Sequence, residues 1–282
     1  MSGSPGEDAA EALKYLVCSV PRSGSGYLCS LLAQTGVAGM VPFEHGHGWE
    51  YLLPHRRAAL GARPGDDFPR LLDRAFALGT SPNGVQGFKV VWGHFGPLYS
   101  GYARRCGAAG RDELEDLLGR RIRWVYLERR DRIAQAVSWA RATQSGRWNV
   151  LVGEGAGGTE QYNYLLIRYK LWSIDAERRA WRRFFDRLGV QPLNLVYEDF
   201  VAAPLETLAR IGEFLGLREP LTLPSAETRI RKQRDQVNQR WRERFVKDDG
   251  HWVNRITASL ATPFRRSSWA AVRRGLSPGP RR

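Results

Sequence analysis

Two stretches of this 282-residue chain combine basic, hydroxyl and glycine residues at spacings that suit anion binding. The first is Arg22-Ser23-Gly24-Ser25-Gly26, between the apolar runs LKYLVCSV and YLCSLL. A strand that turns through glycines into a helix aims successive N–H groups at one spot, and the helix dipole adds positive potential there. Gly24 and Gly26 let the backbone approach a ligand, Ser23 and Ser25 add hydroxyls, and Arg22 adds charge. The second stretch places Arg129 and Arg130 at the end of the run IRWVYLER, with Ser138 near the middle of a helix for which Asp131 is a good N-cap. An arginine at a strand end and a serine on the next helix can grip one phosphate together. Two such sites suggest one ligand carrying two phosphate groups.

The first loop departs from the better-known phosphate loops. A nucleoside triphosphatase would need GxxxxGK[ST], and the chain has no Gly-Lys dipeptide. Of the dinucleotide pattern GxGxxG, the segment GSGYLC keeps only the first two glycines. On the loop alone, a glycine turn that binds nothing and a nucleotide kinase-like enzyme both stay open. A formal net charge of +14 adds an alternative of another class, a nucleic-acid-binding protein, for which RIRKQRDQVNQRWRERF would suit a backbone-contacting helix. No nucleic-acid module signature accompanies that segment.

Only five of the 43 basic residues are lysine. Arginine suits bidentate grip on phosphate and carboxylate, and the charge balance points to an anionic partner. A 43% hydrophobic content and ten tryptophans mark a globular chain. Cys18, Cys29 and Cys106 are too few and too scattered for a disulfide framework or a zinc site, and no metal-ligand cluster is evident. The opening MSGSPGEDAAEA lacks the basic region of a signal peptide, and no apolar run approaches membrane-spanning length. These features lead to the expectation of a cytoplasmic protein.

The elements that must position these residues alternate between strand and helix. Strands are expected over 13–20, 85–92, 122–129 and 193–200. Helices are expected over 24–35, 66–79, 111–119, from Arg132 onward, 160–189 and 205–215, with a basic helical region over 227–247. Asn83 and Gly84 mark a turn, and residues 39–65 form a long irregular segment of the kind that usually serves function. Residues 1–12 read as a disordered leader, 13–262 as a single domain and 263–282 as a basic tail. The alternation implies an α/β fold with a P-loop-like parallel sheet flanked by helices. Ligands bind such sheets beyond the carboxyl ends of the strands, where both anion sites fall.

Taken together, VPRSGSGYL and ERRDRIAQAVSW resemble the two donor-binding motifs of sulfotransferases that use 3′-phosphoadenosine 5′-phosphosulfate (PAPS). With SPNGVQGFKVVW, AWRRFF and KQRDQVNQRW, in that order over roughly 15–245, the chain resembles the bacterial trehalose 2-sulfotransferase family. The resemblance implies that Arg22, Ser23, Gly24, Ser25 and Gly26 cradle the 5′-phosphosulfate, and that Arg129 and Ser138 hold the 3′-phosphate. It puts Lys232, Gln233 and Gln236 near the nucleotide. It makes Glu44 the base for the acceptor hydroxyl, with His45 next in line, and it gives Lys89 and Arg22 charge-stabilising roles. The family has Thr where this chain has Gly26, and proline where it has Arg130. Gly26 and the altered segment around Glu44 leave a member that binds without catalysing as a further alternative. The implied acceptor is a small-molecule hydroxyl, on a glycoside or glycolipid. Phe43, Trp49, Tyr51 and Trp148 are candidates to stack on a sugar face. The family also suggests a homodimer.

Overall fold

The computed structural model describes residues 12–41, 57–58, 61, 63, 65–120, 122–148, 160–222 and 236–250. Four strands form one parallel sheet: β1 (Lys14–Ser19), β2 (Gln86–Val91), β3 (Ile122–Glu128) and β4 (Leu193–Val196), in the spatial order β2-β1-β3-β4. Cys18 pairs with Val90 on one side and with Tyr126 on the other, and Leu127 pairs with Leu195. Both faces are covered, which explains why β1 and β3 read as near-continuous apolar runs. On one face, Leu16, Cys18, Phe88, Val90, Trp124 and Tyr126 meet an aromatic core from α2 (Phe68–Ala77), α3 (Trp92–Arg120) and α5 (Tyr164–Leu188). The same layer contains α4 (Arg132–Ser145) and α8 (Gln236–Gly250). On the other face, Tyr15, Val17, Val125 and Leu127 pack against α1 (Ser25–Gln34), α6 (Tyr197–Ala202) and α7 (Pro204–Leu215). The expected α/β sheet with flanking helices is thus the architecture.

Topology decides where the ligand crevice falls. The connection leaving β1 runs to β2 on one side, and that leaving β3 runs to β4 on the other. Adjacent strands whose connections diverge leave a crevice between their carboxyl ends. Arg22 follows β1 and Arg129 follows β3, so the two sequence motifs flank that crevice. Trp181 of α5, fully buried, donates its indole N–H to the Ser19 carbonyl at 3.0 Å and anchors the start of the loop from below. Truncating such a side chain to alanine costs about 3–5 kcal/mol.

Several elements differ from the sequence expectation. The helix expected over 111–119 is only the end of α3, which begins directly after β2 at Trp92 and breaks at Gly107 (φ 68°). Its glycines and Pro97 masked the pattern. The aromatic spacing Trp92-Phe95-Tyr99-Tyr102 nevertheless buries one face of the helix, and tertiary packing overrides weak propensity. The run LNLVYEDF is half strand and half helix: β4 stops at Val196 and α6 starts at Tyr197. The helix expected from 160 starts at Tyr164, where Asn163 accepts the Leu166 N–H at 2.9 Å. Of the basic region 227–247, the described part is helical from Gln236 and runs on to Gly250. The leader 1–12 is described only at its last residue, and the tail 263–282 lies outside the described residues.

Candidate active site

The loop after β1 is held from two further sides. Gln135 of α4 donates to the Pro21 carbonyl at 2.8 Å, and Arg129 Nη1 donates to the Arg22 carbonyl at 3.4 Å. Arg22 itself has φ 66° and, among the described residues, is the non-glycine with positive φ. A side chain held there costs on the order of 1–3 kcal/mol, and such strain concentrates at functional loops. Gly24 has φ 91°, and any Cβ on it would lie 2.2 Å from the Tyr197 ring. The glycine therefore makes room for a protein side chain, a reason different from the ligand approach expected from sequence.

Helix α1 starts at Ser25 with no side-chain cap. Its first N–H groups have no acceptor one turn back, as at every helix start. The Ser23 hydroxyl is buried beside them and has no hydrogen-bond partner among the described residues. A buried, unsatisfied hydroxyl next to unpaired helix N–H groups fits a phosphate or sulfate oxygen. Gly26 lies in the first turn of α1, partly exposed.

The second motif meets the first. Arg22 Nε donates to Ser138 Oγ at 3.0 Å, and Arg22 Nη1 donates to the Trp148 carbonyl. Arg129 is 17% exposed, lies over the Tyr197 ring at 5.0 Å and approaches Glu198 at 4.0 Å. Arg130 points elsewhere: it is 63% exposed and binds both Asp199 oxygens at 2.9 Å. Glu198 accepts the backbone N–H groups of Arg130 and Asp131 at 2.9 and 3.1 Å, and so fixes the turn after β3. Asp131 caps α4 as expected, accepting the Ala134 N–H at 2.9 Å.

Sequence reading missed Arg141, one helical turn beyond Ser138. Its guanidinium is 16% exposed, lies 3.7 Å from Glu160 and donates to Asn238 at 3.0 Å, joining α8 to α4. The available signal was the Ser138–Arg141 spacing on one helix face. Gln135 also went unread; a buried polar residue on the same face was its signal. Burial, and then the nearby Arg129, push the Arg22 guanidinium down to about 10, with Arg141 acting in the same direction and Tyr197 opposing. Gathering three guanidinium groups this closely is unfavourable alone and becomes favourable around a polyanion. The neighbouring cleft contrasts with this: its Arg132 and Arg242 are neutralised by Asp175 and Asp131, each at 2.8 Å.

Lys89, expected at a strand end, lies in the interior of β2 opposite Val17. It is buried and faces α1, where its charge opposes the burial that pushes the Cys29 thiol up to about 12. Gln236 stands exposed at the start of α8. Trp148 is 48% exposed beside Arg22. Glu44, His45, Phe43, Trp49, Tyr51, Lys232 and Gln233 lie outside the described residues. Among the described residues, no cluster of His, Cys, Asp or Glu is placed to hold a metal ion, and no helix is long and apolar enough to cross a membrane.

Comparison with known proteins bears directly on this geometry. The family model for Stf0 sulphotransferase matches residues 14–248, from the first residue of β1 to near the end of α8. A trehalose 2-sulfotransferase of Mycolicibacterium smegmatis (strain ATCC 700084 / mc(2)155) is 27% identical over 260 residues, covering 83% of this chain and 94% of its own. A second, from Mycobacterium tuberculosis (strain ATCC 35801 / TMC 107 / Erdman), is 25% identical over 256 residues, with 82% and 93% coverage. Among solved structures, retinol dehydratase in complex with androsterone and the inactive cofactor PAP is similar at a TM-score of 0.36 and 16% identity. That match covers 84% of this chain and 80% of the other, and a likeness that loose bears no weight here. The family match spans both arginine motifs and the helices that carry them: this chain belongs to the Stf0 sulphotransferase family and is a sulfotransferase.

Proposed function

We propose that the protein transfers the sulfuryl group of PAPS to a hydroxyl of a sugar, glycolipid or glycosylated natural product. The observation that carries this reading is the convergence of Arg22, Arg129 and Ser138 above the carboxyl ends of β1 and β3, next to the buried Ser23 hydroxyl. One anion-binding end would be the Ser23–Gly26 turn and the first N–H groups of α1. The other would be Ser138 with Arg129, and Arg22 would bridge the two. When bound, PAPS supplies an activated sulfuryl group whose bond to phosphate breaks as the acceptor oxygen bonds to sulfur. Lys232, Gln233 and Gln236 are proposed to contact the nucleotide.

The chain's own groups would do three things. The loop N–H groups, with Arg22 and Lys89, would meet the negative charge that grows on the departing phosphate, as preorganised donors do. The clamp across the crevice would hold donor and acceptor in line, which supplies much of the rate in such transfers. Glu44 would take the proton from the acceptor hydroxyl, with His45 as the second candidate. Met40 bridges Gly87 in parallel on the outer edge of β2, so the chain at Val41 is heading toward the carboxyl ends of the strands. Both relatives are named trehalose 2-sulfotransferases, which makes trehalose the first acceptor to try.

Calorimetry with adenosine 3′,5′-bisphosphate and adenosine 5′-monophosphate tests the donor site. Much tighter binding of the bisphosphate is expected, and equal affinity overturns the reading. Incubation with PAPS and a panel of glycosides, read by mass spectrometry for the gain of one sulfuryl group, tests the transfer.

A further inference from the structure

One half-buried acid is used by none of this chemistry. Glu177 of α5 points at the first turn of α3, where it accepts the Gly93 N–H. Gly93 allows the approach, because a Cβ there would sit 3.3 Å from Glu177 Oε1. The other oxygen, Oε2, is buried and has no hydrogen-bond partner among the described residues. A buried carboxyl oxygen without a partner is costly and calls for an explanation. Lys170 lies two turns earlier on the same helix, about 10 Å along its axis. Its ammonium rests over the Trp139 ring at 4.8 Å and over Tyr169 at 5.5 Å.

The pair stands close to the candidate active site. Gly93 lies two residues beyond Val91, whose strand partner is Ser19, the residue before the loop approach Val20-Pro21-Arg22. Trp181, one turn beyond Glu177, holds the Ser19 carbonyl. Trp139 adjoins Ser138, which accepts from Arg22. Glu177 and Lys170 therefore lie in the layer of α3, α4 and α5, near the residues that hold the loop after β1.

We propose that Glu177 and Lys170 anchor the acceptor, with Glu177 Oε2 hydrogen-bonding a hydroxyl of a neutral, polyhydroxylated molecule whose far side reaches Lys170. This rests on the sulfotransferase reading above. With a carboxyl at one end and an amine at the other, a net charge of either sign gains at one end and loses at the other. A hydroxyl both donates and accepts, and so suits either group. Burial holds both groups toward their neutral forms, Glu177 up to about 8 and Lys170 down to about 8, which widens the set of donor–acceptor pairings open to a polyol.

The test uses the full chain with PAPS as donor and trehalose, maltose and sucrose as acceptor probes, alongside an aryl amine, a steroid alcohol and a sugar phosphate. For each disaccharide that is sulfated, Glu177→Gln and Glu177→Ala are expected to raise KM for the acceptor by about tenfold or more. Lys170→Met should give a smaller rise, and the Kd for adenosine 3′,5′-bisphosphate should stay within about twofold. Unchanged acceptor KM in both Glu177 variants overturns the anchor and leaves the sulfotransferase reading intact. So does sulfation of the amine, steroid or sugar phosphate to the exclusion of every disaccharide. Failure of the unmodified chain to bind the bisphosphate sinks the parent reading itself. Glu177→Gln is nearly isosteric, and bisphosphate binding reports separately that each variant is folded.

Discussion

Arg22 Nε donates a hydrogen bond to Ser138 Oγ at 3.0 Å across 116 residues of sequence, joining the loop after β1 to the helix after β3. The two motifs are therefore halves of one clamp. Ser138→Ala is expected to weaken adenosine 3′,5′-bisphosphate binding by about tenfold, roughly 1.4 kcal/mol, and to leave adenosine 5′-monophosphate binding nearly unchanged. Arg22→Lys should not rescue Arg22→Ala, because the donor to Ser138 is Nε, which lysine lacks. Calorimetry on the three variants decides both points, and recovery of affinity by lysine would show that charge alone matters.

Arg129 and Arg130 should separate cleanly. Arg130 forms a solvated pair with Asp199, a kind of contact worth about 0–1 kcal/mol, so Arg130→Ala should leave bisphosphate affinity and melting temperature nearly intact. Arg129 is largely buried beside Arg22 and Tyr197, and Arg129→Ala should cost at least about tenfold in affinity. The reverse order of effects would move the anion site to the Arg130 side of the turn.

Gly24→Ala meets two obstacles, φ 91° and the Tyr197 ring. The backbone penalty alone is on the order of 1–3 kcal/mol. A lowered melting temperature is expected, and a second change, Tyr197→Ala, should recover only the steric part. Full recovery in the double variant would mean that the backbone conformation costs nothing.

Turnover should depend on Glu44. Glu44→Gln is expected to abolish sulfuryl transfer and to keep bisphosphate affinity within about twofold. If that variant stays active, the same measurement on His45→Ala identifies the alternative base.

Stability should respond to pH through Glu177 and Lys170, which face each other's charge, the Gly93 N–H and the Tyr126 phenol. Unfolded, Glu177 sheds its proton near 4.5, whereas burial holds it to about 8 in the folded chain. Between those values the folded state binds more protons, so its stability falls as pH rises. Lys170, lowered from 10.5 to about 8 by burial, acts in the opposite sense above about pH 8. The melting-temperature gap between Glu177→Gln and the unmodified chain should therefore widen from about pH 4.5 to about 8. A constant gap across that window would show that this carboxyl does not titrate in the folded chain.

Local pattern carried much of this site. The apolar run before Arg22, the glycines after it and the apolar run that follows specify a strand, a turn and a helix, because each is a short-range preference of the backbone. Asp131 reads as a cap for the same reason, and Ser138 falls on its helix by spacing. Where glycine and proline were dense, as in α3, the same local signals misled, since buried aromatic packing outweighs propensity. The run ending in Tyr197 and Glu198 looked like strand, yet its helical turn is what sets Tyr197 against Gly24 and Glu198 under Asp131.

By itself, then, the sequence determined most of the element order, the two arginine motifs and the family they resemble. The tertiary structure decided which arginine faces the crevice, that Arg22 crosses to Ser138, that Arg141 joins them and that Glu177 Oε2 is buried with no partner among the described residues. Local periodicity reports which face of an element is apolar. Which charged groups from distant strands end up sharing one low-dielectric space is settled only when strand order sets β1 beside β3.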